Sequence, residues 1–133
     1  MKKFMFALAL SVSLFAEFKT IDANSLIKMQ KQGIAVFDIR TPQEWKDRGV
    51  IKGAIKNMFF DSKGRADIAN FMYKLGTIIK DKNQPFIIYC AHANRTKAVG
   101  NFLSKQLGFK KVYELKGGIE YGWIDTKHKT LKE

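Results

Sequence analysis

Cysteine is almost absent from this 133-residue chain: there is one, Cys90. No disulfide can close within it, so the thiol is buried and inert, paired with another chain, or reactive. Proline and histidine occur twice each, which leaves no proline-rich linker and no histidine cluster with metal-ligand spacing. Acidic residues number 12 against 24 basic ones. The lysines are nonetheless scattered, with no dense basic run of the nucleic-acid-binding kind. They read as a solvated surface that favours encounter with small anions. No apolar run reaches the ~20 residues of a comfortable membrane span. A dinucleotide fingerprint, a phosphate-binding P-loop and an internal repeat are all missing as well.

What is present divides into a leader and a domain. Met1-Lys2-Lys3 is a short positive start, and Phe4 to Ala16 is apolar or small apart from Ser11 and Ser13. That is the length of a signal-peptide core, with cleavage expected after Ala16 and an uncleaved anchor as the alternative. Leu14 fits poorly three residues before the cut. Residues 17–133 are expected to form one domain, periplasmic or otherwise exported, touching a membrane only through the leader. Without Lys2 and Lys3 the net charge falls from +12 to +10. The apolar fraction of 46% is enough to fill a core.

The patterning alternates strands with helices. Asp22 caps a helix expected over Ala23 to Gln32, stopped by Gly33. Ile34 to Ile39 reads as a strand with Asp38 near its end. Thr41-Pro42-Gln43-Glu44 is a capping box with proline at the first helical position. Trp45 turns that short helix towards the core, and Gly49 ends it. A short strand follows around Ala54 to Lys56, then a polar turn over Asp61 to Arg65. Ala66 to Ile79 reads as a helix with Ile68, Met72, Leu75 and Ile79 inward. Phe86 to Tyr89 is the continuous apolar run of a buried parallel strand. A helix from Arg95 to Leu107 turns Ala98, Val99, Phe102, Leu103 and Leu107 inward, and Gly108 stops it. Val112 to Leu115 is the last strand. Lys116-Gly117-Gly118 leads into a short helix over Ile119 to Trp123, where Trp123 is a core residue like Trp45. The tail after Asp125 is expected to fray. This order predicts an α/β fold of three layers, α/β/α, around a parallel sheet. The strand ends at Ile39, Tyr89 and Leu115 then share the edge where open α/β sheets bind ligands.

The chemistry concentrates at Cys90. It stands after a buried strand and before a helix start, whose free amides and positive dipole end favour an anion. A thiol attacks only as thiolate, and at an ordinary pKa near 8.5 only a few per cent is ionised at neutral pH. A ring of backbone amides, a helix start and Arg95 are the groups able to favour the anion.

Three blocks carry a family resemblance. Asp38-Ile39-Arg40-Thr41-Pro42-Gln43-Glu44-Trp45 with Gly49 to Asn57, then Tyr89 to Thr96, then Leu115-Lys116-Gly117-Gly118 with Trp123, together resemble the rhodanese-like domains. The resemblance implies a single domain with a five-stranded parallel sheet. It also implies a sulfurtransferase in which Cys90 carries a persulfide from a small anionic donor, such as thiosulfate, to a thiol or sulfur-carrier protein. No cofactor beyond that covalent sulfur is implied. Two residues depart from the family pattern: Ala93 stands where glycine is usual, and Val50 where histidine is usual. Alanine in a left-handed conformation costs roughly 1 kcal/mol.

The expected site therefore has Cys90 as nucleophile and Ala91, His92, Ala93, Asn94 and Arg95 around the substrate. His92 tunes the thiolate, binds the donor or is a plain loop residue. Arg95 faces the loop anion or pairs with a carboxylate. Asp38, Arg40 and Glu44 hold the loop from beneath or form a salt-bridge set of their own. Two other readings compete: a binding or redox-sensing module on the same fold, and a small phosphatase or arsenate reductase. Four residues separate Cys90 from Arg95, whereas cysteine phosphatases resemble a pattern with five.

Overall fold

The computed structural model describes residues 16–132. The leader expected at 1–16 lies, apart from Ala16, outside the described residues. Among those residues no helix is long and apolar enough to cross a membrane.

The elements run β1 (Glu17–Ile21), α1 (Ala23–Lys31), β2 (Ala35–Asp38), α2 (Pro42–Arg48), β3 (Ile55–Lys56), α3 (Ile68–Ile78), β4 (Phe86–Tyr89), α4 (Asn94–Asn101) and β5 (Lys111–Leu115). π-helical turns cover Phe102–Gln106 and Glu120–Ile124. The five strands form one sheet in the order β1-β5-β4-β2-β3, every pair parallel. Parallel pairing requires a crossover between neighbours, and the helices supply the two outer layers.

Strand β4 shows how the layers are divided. Successive side chains point to opposite faces, so Phe86, Ile88 and Cys90 fall in one buried cluster and Ile87 and Tyr89 in the other. The first cluster takes Phe71 and Leu75 from α3, and Val99 from α4 with Leu103 just after it. The second takes Ala23 and Leu26 from α1 with Ile119 and Trp123. Cys90 therefore points towards α4, and Tyr89 points away from it.

Several expectations need correction. β1 was not legible as a strand: it is an edge strand, largely exposed and without a regular alternation of apolar residues. In α3 the buried row is Phe71 and Leu75, while Ile68 is 44% exposed; the larger aromatic surface sets which face turns inward. The helix after Cys90 is not α-helical throughout. Its last turn widens to a π-turn, and Gly100 and Ser104 are buried where Ala98 is exposed. α2 buries no residue. Trp45 is half-buried under the Lys56 ammonium, 5.6 Å from the ring centre, and is not in either cluster. Nor does the tail fray. Leu131 and Val50 exchange both backbone hydrogen bonds at 2.8 Å, and Trp123 Nε1 donates to the Lys129 carbonyl at 2.8 Å.

Candidate active site

Cys90 follows the last residue of β4, and the loop Ala91-His92-Ala93 carries the chain into α4. The turn after β5 clamps one side of that loop. Ile119 N donates to the Cys90 carbonyl at 2.9 Å, and Glu120 N to the Ala91 carbonyl at 3.0 Å. Gly118, at φ +66°, makes this approach possible, because a Cβ there would stand 2.3 Å from the Ala91 oxygen. In a trans peptide the N–H points opposite to its carbonyl. The amides of Ala91 and His92 thus turn away from the clamp. Ala93 caps α4 in the left-handed conformation, φ 66° and ψ 15°, with no side-chain hydrogen bond to the helix start. A left-handed residue running into a helix gathers successive amides into an anion-binding nest. The strain expected of alanine there is present.

Cys90 is 1% exposed. Its Sγ lies 3.8 Å from Thr96 Oγ1, a thiol-to-hydroxyl contact on the α4 side. On the outer rim His92 is exposed, its ring 4.8 Å from that of Tyr121. Beside it Arg48 pairs with Glu120 at 2.8 Å. A cavity of about 430 Å³ lies beyond Tyr121, lined also by Asp22, Asn24, Lys116 and Thr126. Among the described residues no three or more of His, Cys, Asp and Glu are placed to hold a metal ion.

The supporting residues split into two pairs. Glu44 is brought to the loop: both its oxygens accept from the Arg95 guanidinium, at 2.7 and 2.8 Å. Arg95 therefore spends its fork on Glu44, and its charge reaches Cys90 through space. Asp38 and Arg40 pair on the opposite face of the sheet, the Tyr89 side, with both side chains at 0% exposure. Arg40 Nη2 also donates to the Gly49 carbonyl at 2.7 Å, and the Tyr89 hydroxyl accepts from Ile51 N at 3.0 Å. Burial, then the Asp38 charge, pushes the Tyr89 hydroxyl far above the ordinary phenol range. This second pair locks the exit from α2 and does not lie beneath the sulfur. Two residues of the neighbourhood were not singled out in the sequence, Thr96 and Glu114. Both are 0% exposed.

The Glu44–Arg95 pair carries a pH dependence. Burial alone raises the Glu44 carboxyl, but the Arg95 hydrogen bonds and the Thr41 amide outweigh it and hold the group at about 2, against 4.5 ordinarily. A depressed carboxyl stabilises the fold fully above its unfolded value, and that contribution fades as pH falls from about 4.5 through about 2. With the pair a third open to water, screening reduces the contribution to about 2 kcal/mol. Denaturant titrations of wild type and Glu44→Gln are expected to differ by that amount at neutral pH, to draw together as pH falls below about 4.5, and to converge only below about 2. A constant gap across that window contradicts the assignment.

A family model of the Rhodanese-like domain matches residues 22–124. A protein named thiosulfate sulfurtransferase GlpE from Pseudoalteromonas translucida is 32% identical over 97 residues, 73% of this chain and 80% of that one. Its namesake from Pseudomonas entomophila is 31% identical over 111 residues, 84% and 89% of the two chains. Among solved structures, the polysulfide-sulfur transferase homodimer of Wolinella succinogenes superimposes with a TM-score of 0.63 at 18% identity, covering 98% of this chain and 90% of that one. A rhodanese-related protein from Thermoplasma volcanium gives 0.61 at 24% identity, covering 86% and 99%. With the five-stranded parallel sheet and the cysteine loop at its edge, these matches establish that the chain belongs to the rhodanese-like domain family, as an enzyme of the sulfurtransferase class.

Proposed function

We propose that Cys90 carries a sulfane sulfur as a persulfide between a small anionic donor and a thiophilic acceptor, in a protein exported by its leader. The observation that carries this reading is the loop itself: a nucleophile, a left-handed residue three positions on, and an uncapped helix start directly after it. Such a nest favours a singly charged sulfur and the anionic end of the donor.

In the first half-reaction the Cys90 thiolate attacks the outer sulfur of thiosulfate. The new S–S bond forms as the old one breaks, and the electron pair leaves with sulfite. In the second an acceptor nucleophile (cyanide in an assay, a thiol or carrier protein in the cell) attacks the terminal sulfur and returns Cys90 as thiolate. The recessed sulfur favours slim reactants, since the residue is 1% exposed. The relatives named thiosulfate sulfurtransferase support thiosulfate as the donor, and the Met1 to Ala16 pattern supports export.

Two displacements through a covalent intermediate give ping-pong kinetics. Initial rates with thiosulfate and cyanide varied together are expected to yield parallel double-reciprocal lines. Intersecting lines, which require both substrates bound at once, contradict the scheme.

A further inference from the structure

Glu114 lies in β5, in register with Ile88 of β4. It shares a sheet face with Val112, the face covered by α4. A carboxylate at 0% exposure is costly unless donors surround it. Three do. Thr20 Oγ1 donates at 2.7 Å, Thr96 Oγ1 at 2.6 Å, and Lys97 Nζ closes the set as an ion pair. Thr96 is the link to the chemistry, because its hydroxyl is also the 3.8 Å neighbour of Cys90 Sγ.

A hydroxyl has one proton and two lone pairs. While Thr96 gives its proton to Glu114, it offers the sulfur only a lone pair, which suits the thiol S–H. A thiolate needs the opposite. Once the thiol proton has left to solvent, the Thr96 proton serves the sulfur best, and Glu114 keeps Thr20 and Lys97 as donors. We propose that Glu114 is a positioning residue for the nucleophile, setting through Thr96 whether the hydroxyl accepts from the Cys90 thiol or donates to the thiolate. Lys97 is the balancing charge that makes a carboxylate tolerable so near an anionic sulfur. The other charges around the thiol are already engaged. Arg95 is tied to Glu44, Asp38 to Arg40, and Glu120 to Arg48 beside His92.

The inference rests on Cys90 as nucleophile, and its test does not use sulfur transfer. Because Cys90 is the one cysteine, the rate of alkylation by iodoacetamide against pH reports its thiolate alone. Glu114→Gln removes a negative charge and loosens the hold on the Thr96 proton. Its alkylation midpoint is expected to move to lower pH by about half a unit to one unit. Thr96→Val removes the donor and is expected to move it up by a similar amount. In the double variant the shifts are expected to be non-additive, as for groups in one network. A Glu114→Gln midpoint that is unchanged or raised overturns the proposal, whatever the ping-pong test returns. Should that variant not fold, Lys97→Met serves instead, since that side chain is 56% exposed. It leaves Glu114 uncompensated and is expected to raise the midpoint by a few tenths. An unchanged midpoint there overturns the proposal equally.

Discussion

Cys90→Ser is expected to bring sulfur transfer to the uncatalysed background while leaving the domain folded. Serine keeps the shape and a hydroxyl that can meet Thr96, so a near-neutral effect on unfolding is expected from a swap at a residue that is 1% exposed. The chemistry is different. A serine hydroxyl does not ionise near neutral pH, and it does not hold a sulfane sulfur that an acceptor can remove. With no second cysteine in the chain, no other sulfur takes over, so a loss of at least about 10³-fold is expected. The check is the thiosulfate–cyanide assay beside a denaturant titration. A serine variant that retains a tenth of the rate removes Cys90 from the mechanism.

The largest effect on stability is expected at Arg40. It is a fully buried arginine held by Asp38 through hydrogen bonds of 2.7 to 3.2 Å and by the Gly49 carbonyl. Burial works against the charged guanidinium, and the Asp38 hydrogen bonds and charge more than restore it. Arg40→Leu strands the Asp38 carboxylate at 0% exposure, which costs about 3–5 kcal/mol. Against a total of roughly 5–15 kcal/mol for a domain, this is about a fifth of the stability or more. The measurement is the denaturant midpoint of Arg40→Leu alone and combined with Asp38→Asn. The second change is expected to return part of the loss, since it removes the stranded charge. A single variant within 1 kcal/mol of wild type contradicts the view that this pair locks the α2 exit.

What could be read from the sequence follows from how local each signal is. Phe86 to Tyr89 was legible because a strand buried on both faces leaves no alternation to misread, and the cysteine after it marks the sheet edge. The capping box of α2 was legible because Thr41, Pro42 and Glu44 act within one turn, and the structure has both of its hydrogen bonds. β1 was not, because an edge strand keeps polar side chains in water and loses its apolar period. The Glu44–Arg95 pair joins residues 51 positions apart, a distance no local pattern spans. Of the two roles open to Arg95, pairing with a carboxylate is the one its guanidinium takes. Glu114 was hidden by its own chemistry. Within Val112-Tyr113-Glu114-Leu115 a glutamate reads as a solvent-facing position, and only its parity with Val112 shows that it faces α4. The order of the tail is hidden for a related reason: it comes from backbone bonds to Val50 and from the Trp123 indole, which composition does not reveal.

The central claim is that Cys90, at the sheet edge before the left-handed Ala93 and the start of α4, accepts a sulfane sulfur from a donor and yields it to an acceptor. Intact-mass measurement of the purified chain after thiosulfate, and again after cyanide, tests it most directly. The account predicts a gain of one sulfur atom located on the Cys90 peptide, lost when cyanide is added with thiocyanate released in equal amount. A mass unchanged by thiosulfate in a protein that turns over thiosulfate and cyanide would contradict it.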